Sequence, residues 1–273
     1  MSDQKSLWRF SLRTFLIIFT ICAVALGWTT RYVHQRKAAF AAIREAGGKF
    51  QWNASKYPRL EAWFGQELFG NPWSLELREG KEKVDNELLQ QVSLLHELVA
   101  LDLSNADIDD QGIEQIAHLP LRELWLQSTH ITNDSAQTLS KMKTLTFLQL
   151  NATDLSDDFL EQLEPLPELD DLGLRGTKVT GPGLQALSRH PKLKDLDLYH
   201  TDVDNAGVQL LIRCSALVNL GLSMTKITDD VFQHLAQLPN LTNADLSGNR
   251  AVSSEAVFEF KKTHPQCVIE GYK

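Results

Sequence analysis

The sequence lacks most of the groups that chemistry usually needs. It has no glycine-rich phosphate loop, no nucleophile elbow, no H-E-x-x-H and no C-x-x-C. The common signatures of nucleotide binding, acyl transfer and zinc catalysis are therefore missing. Cysteine is scarce, three in 273 residues, and that usage does not settle a redox compartment. Basic residues are outnumbered: 27 Lys and Arg against 35 Asp and Glu give a net charge of −8. Residues 1–30 hold Lys5, Arg9 and Arg13 against Asp3, so setting them aside leaves 24 basic and 34 acidic side chains, a net of −10. So acidic a body argues against nucleic acid as a partner, because phosphate binding needs clustered Lys and Arg. With 43% hydrophobic residues, the chain is neither disordered nor a multi-span membrane protein.

What is abundant is one leucine phrase. Leu98-x-x-Leu101-x-Leu103 recurs with leading leucines at Leu121, Leu145, Leu169, Leu193 and Leu217, and a seventh copy, Leu241-x-x-Ala244-x-Leu246, departs by one alanine. The step is 23 residues once and 24 five times. A fixed period of this length marks a stacked repeat protein. The phrase resembles the leucine-rich repeat, in the T-x-I-T-D-x-G-L form of bacterial membrane-anchored proteins (ribonuclease-inhibitor-like or cysteine-containing-like). The resemblance covers roughly two thirds of the chain. It implies an α/β solenoid with short parallel strands on the concave side and helices on the convex side. Fold alone does not assign a function.

Within one repeat, Leu193, Leu196 and Leu198 point inward, while Asp195, Asp197 and Tyr199 alternate with them and face outward. Thr129, Thr153, Thr177, Thr201 and Thr225, with Asn249 last, form a row that reads as a structural ladder bonding neighbouring loops. Thr132, Ser156, Thr180, Asp204, Thr228 and Ser253 read as helix N-caps. Cys214 and Cys267 lie in different repeats, too far apart for a disulfide, and read as small core residues. His118, His190, His234 and His264 fall near helix-to-strand loops, where polar surface residues are expected.

Ahead of the repeats, residues 14–30 carry no charge and are bracketed by Arg13 and Arg31. Seventeen helical residues span about 26 Å, within reach of a bilayer core. The run reads as a single-pass transmembrane helix, with a cleaved signal peptide as the alternative because Ala23-Val24-Ala25 resembles a cleavage site. Flanking charge is nearly balanced and does not orient it. The resemblance to anchored bacterial repeat proteins implies that the repeats lie on the extracytoplasmic side. Residues 31–48 read as a juxtamembrane helix, extended as a stalk and ended by Gly47-Gly48. Residues 49–97 read as an N-terminal cap with an incomplete repeat, in which Leu60, Trp63, Phe64, Leu68 and Phe69 share one helix face. Repeats fill 98–264, and 265–273 read as a closing strand whose tail, Glu270 to Lys273, covers the far edge. Residues 1–13 form a short tail.

The outward strand positions are the candidate site. They begin with Ala100, Asp102 and Ser104, and the informative ones are Glu123, Trp125, Phe147, Gln149, Asp171, Arg175, Asp195, Asp197 and Tyr199. Exposed aromatics in a polar frame suit a partner-binding surface. Equally, Trp125 and Phe147 could pack on the cap or on each other across adjacent strands. The expectation is a non-enzymatic module docking a protein or peptide with basic and apolar features, with no cofactor and no metal. Two alternatives stand beside it: a self-assembling envelope protein, and, more remotely, a hydrolase using Asp195 and Asp197.

Overall fold

The computed structural model describes residues 12–78 and 84–271. Its organising feature is one ten-stranded sheet in which the strands follow chain order. They are β1 Lys49–Asn53, β2 Asn71–Glu76, β3 Ala100–Asp102, β4 Glu123–Trp125, β5 Phe147–Gln149, β6 Asp171–Gly173, β7 Asp195–Asp197, β8 Asn219–Gly221, β9 Asn243–Asp245 and β10 Val268–Glu270. β1 pairs antiparallel with β2, and each pairing from β2 to β10 is parallel.

The leucine phrase dictates this register. Leu101, Leu124, Leu148, Leu172, Leu196, Leu220 and Ala244 pair in a continuous row, and all seven are buried. A slip of one residue would turn the whole row to solvent, so burial locks the alignment. Behind the strands, Ala136/Leu139, Phe159/Leu163, Leu184/Leu187, Val208/Leu211, Val231/Leu235 and Val257/Phe260 close the same core from the convex side. Cys214 and Cys267 are free and buried in it, as small apolar residues would be. Burial pushes the Cys214 thiol up to about 11.

The convex segments are short helices, with two 3-10 stretches among the described residues, a short one at Leu211–Arg213 and a longer one at Pro182–Arg189. The longer one opens on Gly181-Pro182-Gly183, where low helix propensity meets a close contact between coils: a methyl on Gly181 would approach Gly207 to 3.0 Å.

The threonine row is buried from Thr129 to Thr201 and half-buried at Thr225, but its bonds differ from expectation. Thr129, Thr153, Thr177, Thr201 and Thr225 each donate to the carbonyl three residues back in their own coil, at 2.5–2.8 Å. The turn there is tight, and the nearest orphan carbonyl is the coil's own. Only Asn249, with a longer two-ended side chain, also reaches the preceding coil at Leu222.

The link between coils lies at the helix starts instead. At most helix starts an Asp or Asn holds the expected cap of the next coil; Gly181, which follows Thr180, has no side chain to do so. Asp110 accepts from the backbone N–H and hydroxyl of Thr132, at 2.9 and 2.6 Å. Asn133 does so with Ser156, accepting from its N–H and donating to its hydroxyl. Asp157 holds Thr180, Asn205 holds Thr228 and Asp229 holds Ser253 in the same way. Ser156 makes no cap bond to its own helix, the helices after Thr132, Thr180 and Thr228 begin later, at Asp134, Gly181 and Asp230, and Asp204 and Ser253 cap theirs. Ser253 does both, donating its hydroxyl to Asp229 while accepting from the Ala256 N–H.

At the N-terminus, α1 runs from Leu12 to Glu45 and ends where Gly47 turns left-handed (φ 88°), the conformation that glycine adopts without strain. Its C-terminal third is no free stalk. Arg36, Ala39, Phe40, Ile43 and Ala46 form a helical stripe buried against the first coils. Phe40 sits 4.9 Å from Phe50 and 5.4 Å from Trp52, ring centre to ring centre, so helix and β1 together seal the open end of the core. The single helix face expected further on does not form. The segment splits into α2 (Pro58–Phe64) and α3 (Gln66–Phe69) at Gly65, and Leu60 and Trp63 are exposed. The side chains of Phe64 and Phe69 lie outside the description, as do Tyr272 and Lys273 of the expected closing tail.

Among the described residues no helix is long and apolar enough to cross a membrane, so the span expected over residues 14–30 is not established by the fold. What the fold gives is the N-terminal part of α1 with Ile17, Phe19, Ile21, Val24, Leu26 and Trp28 all exposed.

The concave face as candidate functional site

The outward positions line up in columns across the sheet. One runs Ala100, Glu123, Phe147, Asp171, Asp195, Asn219, Asn243; the next runs Asp102, Trp125, Gln149, Gly173, Asp197, Gly221, Asp245. β3, the first strand of the repeats, contributes little surface. Ala100, Asp102 and Ser104 are buried rather than exposed. Arg78 donates to Asp102 at 2.5 Å, and the other oxygen of Asp102 accepts from the Ser104 N–H and hydroxyl.

Next come the aromatics. Trp125 and Phe147 stand on adjacent strands with ring centres 4.8 Å apart, tilted by 48°, and both remain partly exposed. They pack on each other and still offer an apolar step to solvent. Glu123 is beside them, half-buried.

Beyond the aromatics the face opens into a concavity of about 430 Å³, lined by Gln149, Asp171, Arg175, Asp195, Asp197 and Tyr199, together with Asn219, Gly221, Asn243 and Asp245. Six of the nine expected residues meet here. Glu123, Trp125 and Phe147 adjoin it through the Phe147–Asp171 pairing. Asn219, Gly221, Asn243 and Asp245 were legible as outward by alternation, but nothing in the sequence signalled that the hollow extends to them. Gly173 and Gly221 flank Asp197 and leave the floor open. A methyl on Gly221 would meet the Asp197 carboxylate at 2.8 Å.

Charge in the hollow is poorly matched. Arg175 is its cation, 3.5 Å from Asp197 and lying 4.4 Å over the Tyr199 ring. Asp171 accepts from the Gln149 amide at 3.0 Å, and Asp195 accepts from Asn219; both are neutral donors. Burial, then the carboxylates of Asp195, Asp170 and Asp197, push Asp171 up to about 6. Asp197 is also raised, by burial, with its backbone bond to Tyr199 and Arg175 opposing. Asp245 is partly buried, which alone raises it, yet hydrogen bonds from Ser223 and Ser247 outweigh that and hold it low. Chemically, the hollow stabilises a positive charge. Among the described residues no group of three or more His, Cys, Asp and Glu is placed to hold a metal ion.

One histidine departs from the surface role expected of it. His190 is buried, its Nδ1 accepts the Leu166 N–H at 3.2 Å, and burial lowers it to about 4. It replaces a turn bond between coils.

The signature of the leucine-rich repeat family matches residues 96–117. The fold is a leucine-rich repeat solenoid. Solved structures agree: an internalin of Listeria monocytogenes matches over 67% of this chain and 50% of its own, with 21% identity and a TM-score of 0.51. Internalin C2 of the same organism matches over 79% and 84%, with 21% identity and a TM-score of 0.53. The chain thus spans about half the length of the first of these. At such identities the likeness is one of fold. No curated protein sequence matches significantly.

Proposed function

We propose that this leucine-rich repeat protein is a non-enzymatic docking module whose concave hollow takes a cationic side chain of a protein or peptide while the Trp125–Phe147 step takes an apolar neighbour. The observation that carries the reading is the under-neutralised Asp171: Asp195, Asp170 and Asp197 repel it, while Lys194 pairs with Asp170 and Arg175 with Asp197, so neither cation pairs with Asp171 itself. A Lys or Arg from a partner supplies the missing charge. Phe147 and Asp195 lie two strands apart, about 10 Å, so an extended peptide would place its apolar and cationic residues about three positions apart.

The reading continues to the membrane. The uncharged run at 14–30 and the apolar side chains exposed along α1 support seating that segment in lipid, with the repeats outside the cytoplasm by resemblance. Anchoring raises the local concentration of the docking face.

The test is a peptide array probed with the full chain, and with Asp171→Asn/Asp195→Asn and Trp125→Ala/Phe147→Ala. Basic–apolar peptides retained by the parent and weakened about ten-fold or more in both variants, at unchanged melting, support the reading. An identical peptide list for all three proteins rejects it, and self-association alone favours the self-assembling alternative.

A further inference from the structure

A second hollow, of about 680 Å³, lies where α1 first touches the repeat body, between Gly27–Arg36 of the helix and Leu94 and His96 of the loop after Asn86–Val92. Its walls are chemically divided. Trp28, Tyr32 and Leu94 are apolar; Arg31, Gln35, Arg36 and His96 are polar donors; among the described residues no carboxylate lines it.

The two arginines play different parts. Arg36 is buried and fully engaged. It donates to the Glu67 and Gly70 carbonyls, to Tyr32 Oη at 3.2 Å, and to both oxygens of Glu97 at 2.9 and 3.0 Å. Glu97 is thus matched, Glu67 pairs with Arg44, and Tyr32 is held by Arg36. Arg31 is exposed and has no ion-pair partner among the described residues. It is also the first charge after Arg13, so it marks the end of the apolar stretch. His96, exposed, lines the hollow and stands edge-on to His118 at 5.5 Å.

A free guanidinium beside an imidazole, framed by an exposed tryptophan and tyrosine at the end of an uncharged helix, matches an amphiphile with an anionic head. Trp and Tyr favour the lipid–water boundary, and guanidinium binds phosphate through paired N–H groups. We propose that this hollow seats the phosphate headgroup of an anionic phospholipid, with Arg31 and His96 on the phosphate and Trp28 and Tyr32 along its glycerol end. The inference rests on the reading that residues 14–30 lie in the membrane. It adds that the repeat body sits directly on the bilayer surface, since Leu94 and His96 belong to that body.

The experiment uses the full chain in two steps. Flotation with pure phosphatidylcholine vesicles tests the anchor. Reconstitution into mixed phosphatidylcholine/phosphatidylglycerol vesicles, followed by extraction and mass spectrometry of retained lipid, tests the hollow. The parent should retain phosphatidylglycerol in preference, and Arg31→Gln/His96→Gln should lose about five-fold of that preference. Lys37→Gln, which removes a charge from the same helix outside the hollow, should keep it. Equal loss in Lys37→Gln, or no preference in the parent, overturns the site while leaving the anchor intact. Failure to float, with phosphatidylglycerol still preferred in detergent, overturns the anchor and leaves the site. Displacement by inorganic phosphate alone at millimolar level reassigns the hollow to free phosphate and overturns the lipid.

Discussion

The same strands carry two surfaces that obey different rules. Facing inward, the leucine row repeats almost without change, and its members are buried from Leu101 to Ala244. Facing outward, the paired positions run from Trp125 through Gly173 to Asp197. The solenoid needs the first surface uniform, because each layer must cover the next. It places little demand on the second, which is free to be acidic, aromatic or open. Stability should therefore respond to the inner row, and binding to the outer columns.

The sharpest break of that contrast is Leu196→Arg against Asp195→Asn, one residue apart. The buried, unpaired guanidinium should cost roughly 4 kcal/mol or more, the scale of an uncompensated core charge, and abolish cooperative melting. Asp195→Asn should change stability by less than about 0.5 kcal/mol. Thermal denaturation of both checks this; equal effects would mean that the inward and outward assignments are wrong.

A subtler break uses pH. His190 belongs to the interior, and its neutral form is favoured in the folded chain. Its contribution is complete above the unfolded value of 6.5 and is lost as pH falls through the folded value near 4. Over that window stability should fall by up to about 3 kcal/mol more in the parent than in His190→Gln. Asp171, on the outer surface, acts in the opposite sense. Its folded value near 6 lies above its ordinary 3.8, so its ionisation opposes folding above about pH 6, and the penalty is relieved as pH falls toward 3.8. Chemical denaturation from pH 4 to 7 separates the two.

Between these lies the clamp joining coils. Asp157→Ala should cost about 1–2 kcal/mol by freeing the Thr180 N–H and hydroxyl. Asp157→Asn should recover most of it, because Asn133 and Asn205 already serve as clamps. A gain is expected as well: Asp171→Asn should stabilise the chain by about 1 kcal/mol at pH 7, the pKa shift discounted for partial exposure, which thermal denaturation at pH 7 checks.

Much of this was legible in the sequence, and the reasons differ by region. The leucine row announced the sheet, its order and its inner face, because burial leaves one acceptable residue type at a fixed period. Alternation identified the outer columns but could not say which were covered. Arg78, which pairs with the buried Asp102, belongs to no repeat. The C-terminal part of α1 read as a solvated stalk because Arg36 looks like a surface residue until Glu97, 61 positions away, is seen to neutralise it. The clamps were hidden for another reason: Asn or Asp after a cap residue is also what an ordinary helix start prefers, so the pattern did not reveal that its bonds cross to the next coil. His190 differs from His118 only in its three-dimensional surroundings. The hollow around Asp197 required knowing that Gly173 and Gly221 flank it.

The central claim is that the concave hollow holds more negative charge than the chain itself neutralises. Carboxyl-resolved NMR titration of Asp171 in the full chain tests it most directly. The expected midpoint is near pH 6, moving downward when a lysine-containing peptide retained on the array is added. A midpoint near the ordinary 3.8 in the free protein, unmoved by that peptide, would contradict it.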